Sequence, residues 1–149
     1  MRAYIAVSYS KRKLVDKEIT LIIETLNTFD ISSFIFVDKY KFNTSQEKQM
    51  MSQAMNDIEN CDILIAETSE KGIGIGIEVG FAKAKGKIVI YLRHQNAEHS
   101  TTVSGISDFQ IVYSNNKDLK NNRFIIFSFV CECFFIGSVF SNSNVLLIL

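Results

Sequence analysis

Five short apolar runs, AYIAVS, SFIFV, DILIAE, KIVIYL and FQIVY, are spread between residues 3 and 113, and helical spacing fills much of the chain between them. No other feature of the sequence restricts the fold as strongly. Runs this short, rich in β-branched residues and apolar at consecutive positions, suit strands buried on both faces. After the first run, Val15, Ile19, Ile22 and Leu26 recur at helical spacing with charges between them. After the second, Met51, Ala54, Met55 and Ile58 do the same, and Thr44 with Glu47 forms a capping-box pattern ahead of them. Strands that alternate with helices form a parallel sheet, because each parallel connection needs a crossover long enough to hold a helix.

The expected architecture is α/β, a flavodoxin-like doubly wound five-stranded parallel sheet with helices on both faces. The strands are Ala3 to Ser8, Ser33 to Val37, Asp62 to Glu67, Lys87 to Leu92 and Phe109 to Tyr113, and the first helix covers Lys11 to Asn27. In such sheets the ligand crevice lies beyond the carboxyl ends of the strands where strand order reverses, commonly between the first and third. That directs attention to the loops Ser8 to Arg12 and Thr68 to Ile77.

The second loop contains GIGIGIE, residues 72 to 78. Three glycines weaken a strand. The spacing also lacks the third glycine of a dinucleotide fingerprint, since Val79 stands there, and no Gly-Lys-Ser/Thr follows for a phosphate loop. The reading is a flexible strand-to-helix turn that lets backbone N–H groups of Gly72, Gly74 and Gly76 approach a ligand and holds Glu78 in the first turn of the next helix. Gly76, Gly80 and Ala84 would also allow that helix to pack closely. A carboxylate at this crevice can attack an electrophilic carbon or stabilise a cationic one. An acid that merely suits the positive end of a helix dipole is the plainer alternative. After the first strand, Ser8, Ser10, Lys11 and Arg12 stand at the start of a helix and suit an anion, or else a capped helix with solvated cations.

Composition limits the alternatives. Sixteen basic side chains balance sixteen acidic ones, so no net field favours a nucleic acid. Cys61, Cys131 and Cys133 form neither a CxxC pair nor a disulfide framework, and the N-terminal apolar run is too short for a secretory signal, which points to the cytoplasm. No spacing suggests a metal site; His94 and His99 read as solvated loop residues. One domain, residues 1–122, accounts for the pattern. Residues 123–149 depart from it, with six of the twelve phenylalanines and only Arg123 and Glu132 charged. This atypical apolar tail does not suit an ordinary closing helix, and Glu132 in its middle disfavours a membrane anchor.

The stretch CDILIAETSEKGIGIGIEVGFAKAKGKIVIYL resembles the nucleoside 2-deoxyribosyltransferase superfamily, especially its 2'-deoxynucleoside 5'-phosphate N-hydrolase branch. The matching elements are Cys61-Asp62, Glu67 at a strand end, Gly74-Ile75-Gly76-Ile77-Glu78, Gly80 with Ala82, and Gly86-Lys87, and the resemblance extends over about residues 3 to 120. It implies that Glu78 is a nucleophile toward the anomeric carbon and that Tyr4 hydrogen-bonds it. It implies phosphate contacts for Ser8, and for Ser100 from a neighbouring subunit, hence a homodimer or larger homo-oligomer with a shared site. Arg93 is a further candidate cation near that site. The implied substrate is a small deoxynucleoside or deoxynucleotide, with no cofactor.

The sequence departs from the family at two places. Ala54 stands 24 positions before Glu78 where the family carries an aspartate that assists departure of the base, and Asp57, one turn on, is the candidate substitute. Lys71-Gly72 replaces Pro-Ser of the N-hydrolase branch, which removes a phosphate-contacting hydroxyl. A TIR-like NAD glycohydrolase, and a nucleotide-sensing module with little turnover, remain the alternatives.

Overall fold

The computed structural model describes residues 1–121. The expectations for residues 123–149 lie outside the described residues. The order of elements is β1 (Arg2–Ala6), a 3-10 segment (Tyr9–Val15), α1 (Asp16–Thr28), β2 (Ser32–Phe34), α2 (Phe36–Lys39), a 3-10 turn (Thr44–Gln46), α3 (Glu47–Glu59), β3 (Ile63–Glu67), α4 (Ile73–Ala84), β4 (Ile88–His94), α5 (Thr101–Ile106) and β5 (Phe109–Tyr113). Residues 116–121 begin a further helix.

All five strands are parallel, in the order β2-β1-β3-β4-β5. This is the doubly wound arrangement expected from the alternation of runs, and it puts the reversal of strand order at β1 and β3. Period-two alternation divides the three central strands, β1, β3 and β4, between two cores. Ala3, Ile5, Ile63, Ile65, Ile90 and Leu92 face α1 residues Ile19, Ile22 and Leu26, with Leu119 from the last helix. Tyr4, Ala6, Leu64, Ala66, Val89 and Tyr91 face Ala54 and Ile58 of α3, Ile75, Val79 and Ala82 of α4, and Val103 of α5.

Several boundaries differ from the sequence expectation. The first helix does not begin at Lys11: a 3-10 segment precedes it and regular helix starts at Asp16, the first acidic residue able to serve a helix N-terminus. The second strand ends at Phe34 instead of Val37. It is an edge strand, and Phe36 turns into the core as part of a short helix instead of extending the ladder. The capping box is made one residue earlier than Thr44 and Glu47: Asn43 accepts from Ser45 N–H, and Gln46 Oε1 accepts the Asn43 N–H.

The largest difference lies in the glycine stretch. Its backbone is helical from Ile73, so Gly74 and Gly76 are helix residues and Glu78 sits in the second turn. Among the described glycines only Gly86, φ 68°, has a positive φ; it closes α4 before β4. Three helical glycines cost about 1 kcal/mol each relative to alanine. Full burial of Ile75 and Val79, with Ala82 beside them, returns about 1.5–3 kcal/mol for each of the two large side chains, so packing overrides propensity. Nor do the glycines allow close approach: a Cβ on Gly74, Gly76 or Gly80 would meet nothing within 4 Å.

Candidate active site

β1 and α4 together place the central pair. Tyr4 lies mid-strand on the face that α4 covers, and Glu78 projects back toward it from the second turn of the helix. The Tyr4 hydroxyl donates to Glu78 Oε1 at 2.7 Å, linking side chains 74 residues apart. Tyr4 is fully buried and Glu78 is half-buried. Burial pushes the Glu78 carboxyl up to about 7, and the Tyr4 hydrogen bond pulls against that rise. Burial first, then the Glu78 charge, raises the Tyr4 phenol well above its ordinary value, so Tyr4 stays a donor. Because Glu78 lies beyond the first turn of α4, the helix dipole contributes little to its ionisation. Desolvation and one hydrogen bond set its state.

Replacing Tyr4 by Phe removes that charge-assisted bond, of a kind worth about 1.5–3 kcal/mol, and leaves the ring packing in place. The Glu78 carboxyl then titrates higher than about 7, so the acidic limb of any Glu78-dependent activity moves up by about one pH unit and the rate at neutral pH falls about fivefold. A pH–rate profile of the two proteins measures both effects.

The loops that follow β1 and β3 meet. A Cβ placed on Gly72 would lie 3.4 Å from the Ser8 Cβ, so the bare backbone of Gly72 brings the β3–α4 loop against the end of β1. Ser8 is buried and precedes the 3-10 segment, yet its hydroxyl makes no capping hydrogen bond. Ser10 and Lys11 are exposed. Arg12 is committed elsewhere: its Nε and Nη2 both donate to Asp38 Oδ2, at 3.1 and 2.8 Å, and Nη1 donates to Asp16.

A cleft of about 400 Å³ opens on the other flank of α4, lined among others by Thr68, Lys71, Gly72, Gly76, Glu98, His99 and Ser100. Successive helix residues project about 100° apart, so the side of α4 that lines this cleft at Gly76 points about 200° away from Glu78. Ser100 therefore shares a cleft with Gly72 and Gly76, whereas Glu78 faces Tyr4. Ser100 begins α5: its Oγ accepts the Val103 N–H, and its own N–H donates to the buried Tyr91 hydroxyl. Lys71 forms an ion pair with Glu98 at the cleft edge. Arg93 braces the loop after β4, where its Nη1 donates to the carbonyls of His94, Gln95 and Ala97.

Asp57 is buried and accepts from Gln53 Nε2 at 3.1 Å. As the crossover into a parallel strand, α3 runs antiparallel to the sheet, so Asp57 lies a turn farther than Ala54 from the carboxyl ends of the strands. Its charge acts on Tyr4 and Tyr40 and is absent from the influences on Glu78. Ala54 is fully buried in the same core as Tyr4 and Val79.

Three features were not legible as site components. Half-buried Tyr40 and Phe42 extend an aromatic row from Tyr4 through Phe34 and Phe36, with ring centroids 5.1–6.2 Å apart. His99 lies 3.3 Å from the Tyr91 hydroxyl, and His94 ends β4 with Nε2 3.0 Å from the Ser114 carbonyl, so neither is simply solvated. Glu67 is fully buried on the opposite face of the sheet. An acid ending an otherwise apolar strand was the visible signal for it. Among the described residues no cluster of His, Cys, Asp and Glu is arranged to hold a metal, and no helix is long and apolar enough to cross a membrane.

Comparison with known proteins agrees with this fold. The profile of the nucleoside 2-deoxyribosyltransferase family matches residues 3–124. No curated protein matches the chain. Similar solved structures include the CMP N-glycosidase BcmB of Clostridium botulinum (21% identity, 85% of this chain and 99% of that one, TM-score 0.60). A 2-deoxyribosyltransferase of Bacillus psychrosaccharolyticus is 14% identical over 81% of this chain and 91% of its own, with a TM-score of 0.60. A conserved protein of Enterococcus faecalis gives a TM-score of 0.62 at 16% identity, covering 81% and 95% of the two chains.

Proposed function

We propose, from the premise that the chain belongs to the nucleoside 2-deoxyribosyltransferase family and is an enzyme of N-glycosidic bonds, that it cleaves 2'-deoxynucleosides or their 5'-monophosphates through a covalent glycosyl-glutamate at Glu78. The observation that carries this reading is the 2.7 Å bond from buried Tyr4 to Glu78. With Oε1 held by Tyr4, Oε2 is the oxygen left to attack C1'. The C1'–O bond forms as the C1'–N bond breaks, the electron pair departs with the base, and the base takes a proton from solvent water. Water or a second base then attacks C1', releasing the Glu78 carboxylate. The transition state is oxocarbenium-like, and an ionised carboxylate beside it is stabilising in a site shielded from water.

Ser8 and the backbone at Gly72 come together at the end of β1, and they suit the 5' end of the sugar. Arg12, held by Asp38 and Asp16, shapes its loop instead of meeting the ligand. Asp57 acts on Tyr4 at a distance, as a positioning charge.

Ser100 serves the neighbouring copy in this reading, as the family resemblance implies. The expected assembly is a homodimer with shared sites. Sedimentation equilibrium at assay concentration checks this, and a monomer that retains full activity refutes the sharing.

The deciding experiment is chromatographic detection of free base after incubation with the common deoxynucleosides, their 5'-monophosphates, CMP and NAD, each with and without a second free base. Release from a deoxynucleoside or its monophosphate supports the proposal. Release from NAD alone marks the TIR-like alternative, and saturable binding with no release marks a sensing module.

A further inference from the structure

Glu67 is the buried ionisable group that the reaction above leaves without a task. The alternation of β3 sends it to the α1 face of the sheet, where it is 0% exposed. Its Oε1 accepts the Ser69 N–H at 3.2 Å and the Tyr113 hydroxyl at 3.4 Å, while Oε2 is buried with no hydrogen-bond partner. Ser69 Oγ lies 3.1 Å from the Tyr113 hydroxyl and accepts the His94 N–H at 2.7 Å. Thr68 donates twice to the Leu92 carbonyl, from its N–H at 2.8 Å and its hydroxyl at 3.0 Å. Residues 67–69 are thus stitched to the ends of β4 and β5. Three residues later Gly72 caps α4, the helix that carries Glu78.

We propose that Glu67 is a positioning residue for the Glu78 site: protonated, it braces the 68–72 loop and the start of α4, and loss of its proton to solvent releases that brace. The charged and titratable groups facing Glu67 are Tyr113 from β5, Glu18 from α1 and, through Ser69, His94 of β4, whose ring is held by the Ser114 carbonyl. No cation among the described residues pairs with it. An ionised Glu67 would be a buried charge with one orphan oxygen, a state relieved by letting water reach it. The bonds from Ser69 and Tyr113 favour the ionised form, but burial outweighs them and pushes Glu67 up to about 7.

This inference rests on Glu78 being the nucleophile, and its test separates the two claims. Glu78 must be ionised and Glu67 protonated, so the wild-type pH–rate profile is a narrow bell near neutrality. Glu67→Gln keeps the neutral form at every pH: its rate rises with pH to a plateau and exceeds wild type about thirtyfold at about pH 8.5. A falling limb that survives unchanged in Glu67→Gln overturns the proposal. Should the wild type release no base from any substrate, only the Glu78 reading fails, and amide hydrogen exchange decides for Glu67. Exchange at residues 69–72, corrected for intrinsic base catalysis, then increases about tenfold from about pH 6 to about pH 8.5 in the wild type and stays level in Glu67→Gln. Equal behaviour of the two proteins overturns it. Tyr113→Phe covers a Glu67→Gln protein that does not fold. Without the phenol, the ionised form loses a donor and the falling limb, or the exchange transition, moves to higher pH; no movement or a downward one counts against the proposal.

Discussion

Replacing Glu78 by Gln lowers base release at least about 10³-fold while the fold stays in place, because the nucleophilic oxygen is lost and the Tyr4 hydroxyl still finds an acceptor. The same change stabilises the protein at alkaline pH. In the folded chain the Glu78 carboxyl titrates near 7 against an ordinary 4.5, so folding favours its protonated form. The stability tied to that proton is fully present below about pH 4.5 and is lost as pH rises through about 7. Glu78→Gln therefore melts higher than wild type at about pH 8 and shows no such gain near about pH 4. Activity and melting temperature moving in opposite directions at alkaline pH is the expected mark of a functional acid kept at a cost to stability. A variant that keeps wild-type turnover removes Glu78 from the chemistry.

Ala54→Asp raises the rate of base release by about 10², within the range of about 10² to 10⁴ that a positioned general acid contributes. The physical case lies in the direction of α3. Ala54 is a turn closer than Asp57 to the carboxyl ends of the strands and shares its core with Tyr4 and Val79. The helix that runs past the Tyr4–Glu78 pair thus carries no acid at the position where the resemblance places one. The new carboxyl enters a site that is 2% exposed, so the melting temperature falls. Ala54→Asn is the control: it brings a similar burial cost and no acid, so it loses stability without gaining rate. A folded Ala54→Asp protein with unchanged turnover refutes the idea that a missing acid limits this enzyme.

The sheet was legible because its signal is coarse and redundant. Five runs such as DILIAE and KIVIYL suit a parallel sheet covered on both faces, and right-handed crossovers restrict the orders its strands can take. Boundaries were harder to read where a single side chain decides them. Phe36 leaves the edge strand for the core, and Asn43 caps the turn before α3 in place of Thr44. The glycine stretch was misjudged because local propensity argued for a turn, whereas Ile75, Val79 and Ala82 at i, i+4 and i+7 argue for a helix whose burial outweighs three glycines. Glu78 and Tyr4 stood out through the resemblance, but the 2.7 Å contact between them depends on a register and a helix rotation that no local pattern encodes. Likewise, the commitment of Arg12 to Asp38, 26 residues away, is a tertiary fact, and it changes a cation expected at the ligand into one already paired. Glu67 shows the converse. Its place at the end of an apolar strand was plain, but its orphan oxygen and its ties to β4 and β5 appear only once the strands are assembled.

Mass spectrometry of the protein acid-quenched during turnover of a deoxynucleoside 5'-monophosphate tests the central claim most directly. The account predicts a mass increase equal to one deoxyribosyl phosphate group, carried by the peptide containing Glu78 and absent from Glu78→Gln. Turnover at full rate with the adduct on another residue, or an adduct that persists in Glu78→Gln, contradicts it.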